Sequence, residues 1–347
     1  MRNARRTTLA DVAEAAGVTV PTASKVLSGR SDVSAQTRSR VMRAVAELGY
    51  RGRSGRGAVP RTDRPALVDL VLSGVEGAWA NRALSGVERA ATEAGVDIVV
   101  SVARGPDEAW LTRLLERGLR GAVLALVDVT AEQLATLTAA GVPVVLLDPV
   151  TQPPGTVASV GAANWAGGRA AAEHFLALGH ERLAVIGGRR RHLYSQARMD
   201  GFRSATAQAG IDLPEERIVH TDWSRRGAAE AATALLEGPS APTAVFACSD
   251  TLAVGIYDAA ESLGLDVGED VAVVGFDDLP EARWLRPALT TVRQPIADMG
   301  GAAMRMLLRI MADPPDTAPR EELATTLIVR GSTAAPRERP RGETAPA

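Results

Sequence analysis

Polar side chains that directly follow short β-branched runs are where this chain can do chemistry. Asp148 follows Val144-Val145-Leu146-Leu147, Trp223 follows the run around Val219, Asp250 follows Val245-Phe246-Ala247-Cys248, and Asp277-Asp278 follow Val273-Val274-Gly275-Phe276. Arg198 is expected to open a helix in the same series. A carboxylate accepts hydrogen bonds from adjacent hydroxyls, Arg donates a two-pronged fork, and Trp offers a flat face to the C–H side of a sugar ring. Such a set suits a polyol. Taken singly, each Asp also reads as a helix cap, Asp250 more than Asp277.

Other chemistries find less support. The four histidines, His174, His180, His192 and His220, have no metal-ligand spacing, and neither a G-x-x-x-x-G-K-[ST] phosphate loop nor a Gly-x-Ser-x-Gly elbow occurs. His180 reads as an imidazole capping a helix end, and Gly187-Gly188-Arg189-Arg190-Arg191 as a solvated basic loop at a cleft rim. Cys248 is the only cysteine, so an intramolecular disulfide, a thiolate zinc site and an iron-sulfur cluster are excluded. No enzyme activity, metal or cofactor is expected.

The elements that must position these residues alternate. Strands are expected at 67–72, 97–102, 122–126, 144–147, 183–186, 218–221, 244–247 and 271–275, with helices between them, for example at 82–94, 167–178, 198–209 and 252–263. This pattern predicts parallel sheets flanked by helices. It runs for about 270 residues, more than one ordinary sheet, so two lobes with a cleft are expected. Ligands of open α/β sheets sit beyond the carboxyl ends of the strands, where the polar residues above fall.

The chain has 347 residues and a formal net charge of −2, but the sum conceals a partition. Residues 1–64 carry 13 basic and 5 acidic side chains, and the remainder 26 and 36. A basic head on an acidic body is expected when one part meets phosphates and the other does not. Arg2, Arg5 and Arg6 are not followed by the roughly 7 to 15 apolar residues of a signal peptide, and no stretch approaches the about 18 of a membrane span. A cytoplasmic protein with no membrane partner is expected.

Within the head, Thr8 precedes Leu9, Val12, Ala13 and Ala16 at helical spacing, and Gly17 ends that helix. Thr19 caps a second helix that buries Ala23, Val26 and Leu27 and turns Val20, Pro21, Thr22, Ser24 and Lys25 outward; Pro21 is tolerated in the first turn. Ser34 opens a third helix, packed through Val41, Val45 and Leu48 and closed by Gly49. Three short helices with a tight glycine turn fit a helix-turn-helix and equally a generic three-helix cap. Residues 51–65, rich in Gly and Arg, read as a flexible basic tether.

The residues themselves favour the first reading. Thr8-Leu9-Ala10-Asp11-Val12-Ala13-Glu14-Ala15-Ala16-Gly17-Val18-Thr19, Thr22-Ala23-Ser24-Lys25-Val26-Leu27-Ser28-Gly29 and Val33-Ser34 with Thr37-Arg38 closely resemble the DNA-binding head of the lactose-repressor (LacI/GalR) family. The resemblance extends through the body. It includes Asn164 with Gly167-Gly168, 178–188, Ala197-Arg198 with Asp200-Gly201-Phe202, 249–255, 274–278, 289–295 and, as a closing strand, 327–333.

The resemblance implies an all-α helix-turn-helix head (1–50), a hinge (51–65) and a two-lobed α/β effector domain like a periplasmic binding protein, followed by a disordered tail (335–347). The N-lobe would be 66–162 plus about 296–322, and the C-lobe 163–295 plus about 323–334. It further implies that the second helix enters the major groove of double-stranded DNA at a pseudo-palindromic operator. Thr8, Thr19, Ser34 and Thr37 would meet phosphates. Val20, which can touch a thymine methyl, and Pro21 replace the polar readers of many relatives, leaving Thr22, Ser24 and Lys25 the polar contacts. Ser28, Arg38, Tyr50, Arg51 and Arg53 complete the DNA-facing set, and Val59 falls where the hinge wedges an apolar residue into the minor groove; a tether making only phosphate contacts is the alternative.

The effector-contacting positions that the resemblance implies are Asp148, Arg198, Trp223, Ser249, Asp277 and Gln294, with His192 and Tyr194 on the loop before Arg198 and Trp79 in Glu76-Gly77-Ala78-Trp79-Ala80. That segment departs from the family's usual Asn-Pro-Phe-Phe, and Ala163 stands where relatives often carry Asp. The implied protein is a bacterial, nucleoid-associated homodimeric repressor of carbohydrate-utilisation genes, allosterically controlled by a small sugar. The tail lacks a leucine heptad, which argues against a coiled-coil tetramer. Alternatives are a regulator answering to a phosphorylated metabolite, a nucleoside or a protein co-regulator, for which Arg189 to Arg191 are the supporting feature, and, more remotely, a solute-binding receptor or a small-molecule kinase.

Overall fold

The computed structural model describes residues 8–27, 33–48, 66–104, 109–238 and 240–337. The head begins with α1 (Leu9–Ala15), α2 (Val20–Leu27) and α3 (Ala35–Glu47). Thr8 and Asp11 form a reciprocal cap: the Asp11 amide donates to Thr8 Oγ1 at 3.4 Å and the Thr8 amide to Asp11 Oδ2 at 2.6 Å. The Thr22 amide donates to Thr19 Oγ1 and the Thr37 amide to Ser34 Oγ, both at 3.3 Å, as expected of the two further caps. The turn between α1 and α2 passes through Gly17 at φ +63°, which a side chain disfavours. Val12, Ala13, Ala16, Ala23, Val26, Val41 and Ala44 form the core. Leu48 does not join it: α3 stops at Glu47, leaving Leu48 exposed, and Ala44 takes the buried position one turn earlier.

The body follows as β1 (Ala66–Leu72), α4 (Ala78–Glu93), β2 (Val96–Val102), α5 (Ala109–Arg117), β3 (Ala122–Ala125), α6 (Ala131–Ala139), β4 (Val144–Leu147) and β5 (Ala158–Ala162). Next come α7 (Asn164–Ala177), β6 (Leu183–Gly187), α8 (Leu193–Gln208), β7 (Ile218–His220), α9 (Arg225–Leu236), β8 (Ala244–Ala247), α10 (Asp250–Ser262), β9 (Ala272–Asp277), α11 (Glu281–Trp284) and β10 (Thr290–Arg293). The last elements are α12 (Ile296–Ala312), β11 (Arg320–Leu323) and β12 (Thr326–Ile328).

Two six-stranded sheets result, ordered β11-β5-β4-β3-β1-β2 and β12-β10-β9-β8-β6-β7. Pairing is parallel except between β10 and β12, which run antiparallel. All eight expected strands are present. β5, β10 and β11 were not foreseen, and the expected strand at 327–333 shrinks to β12. In the first sheet, alternation sends Val68, Leu70 and Leu72 against α4 and α12 and Val71 against α5 and α6. The second sheet's core holds Phe175, Phe202, Phe246 and Phe276.

The chain passes between the sheets three times, at Ala163, at Gln294-Pro295 and at 324–325. These crossings are laced together: the Ala163 amide donates to the Leu323 carbonyl at 2.9 Å and Thr325 Oγ1 to the Ala163 carbonyl at 3.4 Å. Helices α7 and α8 approach closely enough that a Cβ on Gly168 would lie 1.8 Å from the Arg198 carbonyl oxygen. Among the described residues no helix is long and apolar enough to cross a membrane.

Candidate functional site: an interlobe cavity and a helix-turn-helix surface

A cavity of about 1080 Å³ opens between the two sheets at the carboxyl ends of their strands. All nine side chains expected to contact an effector line it: Trp79, Asp148, His192, Tyr194, Arg198, Trp223, Ser249, Asp277 and Gln294. Backbone conformation aims several of them. Among the described residues, five non-glycines adopt positive φ, and four of these, Leu126 (+53°), Asp148 (+51°), Trp223 (+71°) and Asp277 (+110°), line the cavity. Strain of this kind persists only where surrounding packing over-determines it, and it clusters at ligand sites.

Arg198 is the centre of the polar wall. It does not open its helix; α8 begins five residues earlier at Leu193, whose amide donates to the Val150 carbonyl at 2.8 Å, so Arg198 projects from the second turn. Its buried guanidinium donates from Nε to Asn164 Oδ1 at 2.7 Å and from Nη1 to the Cys248 carbonyl at 2.5 Å, lies 3.5 Å from Asp277 Oδ1, and covers the Phe276 ring at 3.7 Å. Gln294 Nε2 donates to the same Asp277 oxygen at 2.6 Å. Gln294 Oε1 is buried without a partner.

Burial pushes the Asp148 and Asp277 carboxyls up from the ordinary carboxylate range, against the pull of the Arg198 charge on both. Cys248, also buried, has its thiol pushed up to about 12, which keeps it protonated and unreactive at neutral pH.

On the other side of the C-lobe wall, Trp223, Tyr194 and His192 form an aromatic corner. Trp223 Nε1 lies 2.8 Å and Tyr194 Oη 2.9 Å from His192 Nδ1. Gly188 is required beneath it, since a Cβ there would meet the Trp223 indole at 1.8 Å.

Two capping expectations change. Ser249, not Asp250, caps α10, accepting the Leu252 amide at 3.2 Å. Asp250 instead accepts Thr291 Oγ1 at 2.5 Å and the Leu279 amide at 2.7 Å, tying β9 to β10 from a fully buried position. His180 caps nothing: its Nδ1 is 3.0 Å from Thr243 Oγ1 and its Nε2 2.8 Å from the Ala334 carbonyl, so it fastens the end of α7 to the entry of β8 and the C-terminal segment. Asp278 faces an arginine cluster, accepting Arg293 at 2.7 Å and Arg330 at 2.5 Å. Burial alone would raise its carboxyl, but these two guanidinium groups hold it below the usual range.

Lining residues that sequence reasoning missed include Ser73, Leu126 and Asp128, which follow β1 and β3 and obey the same strand-end rule as Asp148. Trp110, on α5, carried no such signal. Across the cavity mouth Arg191 pairs with Asp128, and nearby Arg82 Nη1 donates to the Asp278 carbonyl at 2.8 Å, joining α4 to the end of β9. Among the described residues no cluster of His, Cys, Asp or Glu could hold a metal ion.

On the head, Val20, Pro21, Ser24 and Lys25 are exposed along α2, while Thr22 is half-buried with its hydroxyl 2.9 Å from that of Thr19. Thr8, Thr19 and Ser34 are exposed at helix N-termini, Thr37 and Arg38 are half-buried in the first turn of α3, and Ser34 Oγ donates to Thr37 Oγ1 at 2.9 Å. Ser28, Tyr50, Arg51, Arg53 and Val59 lie outside the described residues, as do residues 338–347 of the tail expected to be disordered from 335; residues 335–337 are described, and Arg337 pairs with Glu269.

A helix-turn-helix head on a two-lobed cavity-bearing body defines a ligand-responsive transcription regulator, and comparison with known proteins agrees. Residues 8–52 match the "Bacterial regulatory proteins, lacI family" and residues 172–333 the "Periplasmic binding protein-like domain". The chain is 36% identical over 353 residues to the HTH-type transcriptional regulator MalR of Streptomyces coelicolor, covering 96% of this chain and 99% of that one. It is 30% identical over 332 residues to the ribose operon repressor of Haemophilus influenzae, covering 94% and 98%. Among solved structures, a transcriptional regulator CelR–cellobiose complex superposes with a TM-score of 0.74 at 31% identity, covering 94% of this chain and all of that one. The lac repressor dimer bound to operator and the anti-inducer ONPF superposes at 0.71 with 26% identity, covering 95% and 100%. The chain belongs to the lacI family of bacterial regulatory proteins and is a DNA-binding transcription regulator.

Proposed function

We propose that the protein is a cytoplasmic, nucleoid-associated homodimeric repressor of carbohydrate-utilisation genes, without catalytic activity, whose interlobe cavity takes a small neutral sugar. The observation that carries the sugar reading is the buried, unpartnered Gln294 Oε1 beside Asp277 and Arg198. An orphan acceptor at that depth costs about 1–3 kcal/mol unless a ligand supplies a donor, and a sugar hydroxyl does so while its C–H face lies on Trp223. Similar regulators solved in complex with cellobiose and with bound ribose support the same class.

The head is 1–50 and the hinge 51–65, with 66–162 and about 296–322 as N-lobe and 163–295 and about 323–334 as C-lobe. Operator contacts come from Thr8, Thr19, Val20, Pro21, Thr22, Ser24, Lys25, Ser28, Ser34, Thr37 and Arg38, with Tyr50, Arg51, Arg53 and Val59 added by the hinge. Gln294 stands on one of the three interlobe crossings, so a ligand that engages it together with Trp79 from the other lobe acts on the angle between lobes. DNA and effector then alter each other's affinity by the same factor.

Thermal-shift screening with sugars, sugar phosphates and nucleosides tests this reading. A sugar at 100 times its Kd should stabilise the body by about 2.7 kcal/mol and change operator affinity. Stabilisation by sugar phosphates alone would transfer the site to an anionic effector engaging Arg189. A stabilising sugar that leaves operator affinity unchanged would refute the allosteric part.

A further inference from the structure

The aromatic corner of the cavity is held by a hydrogen bond of fixed direction. An indole N–H only donates, so His192 Nδ1, 2.8 Å from Trp223 Nε1, carries a lone pair there, and the imidazole proton sits on Nε2. Tyr194 Oη, 2.9 Å from the same nitrogen, competes for that single lone pair. The His192 and Trp223 rings are nearly parallel, 21° apart with centroids at 6.1 Å. The Tyr194 ring, with its centroid 5.4 Å away, and the core of the second sheet also pack against Trp223, so the bond to His192 fixes the direction of the indole rather than its burial.

We propose that His192 is a positioning residue whose neutral imidazole, by accepting the Trp223 indole N–H, holds that ring as a wall of the cavity, and that protonation of His192 releases it. The inference rests on the sugar reading only in taking Trp223 as the surface a ligand packs on.

The surroundings keep the imidazole neutral. Burial comes first, and then Arg191 and Arg189 of the same loop disfavour the cation, with Asp128 opposing them from the loop after β3. Tyr194 is the remaining titratable neighbour, and Asp222, bonded to Ser224, directly precedes Trp223. His192 is also the residue before α8, where the helix dipole disfavours a positive charge. With its proton affinity lowered, His192 is neutral at pH 7, and the wall loosens as pH falls below the ordinary imidazole range, about 6.5.

The test is the indole ¹H–¹⁵N spectrum of the ligand-free full-length protein between pH 7.5 and 5, with the Trp223 signal identified by its loss in Trp223→Phe. In the wild type it should move as the pH falls. In His192→Asn, whose Oδ1 takes the place of Nδ1 and does not titrate, it should keep its pH 7.5 position. In His192→Leu it should be displaced at every pH and exchange with solvent at least tenfold faster. Coincidence of the His192→Leu and wild-type signals, or a His192→Asn signal that titrates like the wild type, would overturn the proposal; should His192→Leu not fold, the His192→Asn comparison decides. With cellobiose and ribose as calorimetric probes, absence of binding to the wild type would count against the sugar reading of the cavity alone, because the indole measurement needs no ligand.

Discussion

The head and the body bury apolar surface on different scales, and the difference decides what each can hold. The head's described core is seven residues, none larger than valine. The body packs phenylalanines and leucines into three clusters on two sheets. A small domain buries a smaller fraction of its surface and is correspondingly marginal, while a large one tolerates local strain. Backbone geometry follows suit: among the described residues the head's one positive φ is at Gly17, whereas the body holds five non-glycines there, four of them around the cavity. The body also keeps Arg198 buried, and the head's charged side chains are exposed or half-buried among the described residues. One region is thus a small frame presenting polar groups to phosphates, and the other a rigid frame that fixes a strained, charged pocket.

Four measurements would break or sharpen this contrast. Arg198→Met should have the largest effect, because it leaves Asp277, Asn164 and the Cys248 carbonyl without their donor; loss of one partner of a buried pair costs about 3–5 kcal/mol. Urea unfolding of the body reads this, and an unchanged midpoint would deny Arg198 its central place. Gly168→Ala should follow, near the upper end of the about 1–3 kcal/mol typical of overpacking, since its Cβ meets backbone of α8 and no rotamer change relieves the clash. Calorimetry should locate that loss in the body transition.

Val12→Ala removes two methylene equivalents from a fully buried head position and should cost about 2 kcal/mol. Operator affinity should fall while the body transition stays in place; a shifted body transition would show that the two regions are not independent. Smallest, Arg38→Gln should reduce the slope of log K against log salt by about 0.9 if Arg38 meets one phosphate, with body stability unaltered. An unchanged slope would remove Arg38 from the DNA surface.

Much of the body was legible because β-branched runs buried on both faces have few other readings. β1, β3, β4, β6, β8 and β9 are short, largely buried apolar runs, and the polar residues at the ends of β4 and β9 led to Asp148 and Asp277, as the shorter β7 led to Trp223. The strands that escaped notice lack this signal. Ala158-Ser159-Val160-Gly161-Ala162 is too small-residued to stand out, and Arg320-Glu321-Glu322-Leu323 is a charged, largely exposed edge strand whose place follows from pairing with β5. Likewise the start of α8 was placed five residues late, because His192-Leu193-Tyr194-Ser195-Gln196 has no strong cap; a tertiary hydrogen bond to Val150 sets that boundary. In the head, caps and turn chemistry are local, so Thr8, Gly17, Thr19 and Ser34 marked their helices correctly, while among the described residues the exposed Leu48 and the half-buried Thr22 differed.

By itself the sequence determined the two-part character of the protein, the helix-turn-helix and its caps, the alternation of strands and helices, and a set of polar residues at strand ends. These depend on periodicity, local hydrogen bonding and charge, which act over a few residues. Tertiary structure decided that Asp148, Trp223 and Asp277 face one cavity together with Arg198, that Asp250 and Asp278 serve packing and ion pairs instead, that Gln294 keeps an unpaired buried oxygen, and that His192 faces the Trp223 indole. These depend on contacts between elements tens to more than a hundred residues apart, and the crossings and register that create them are set only when both sheets close.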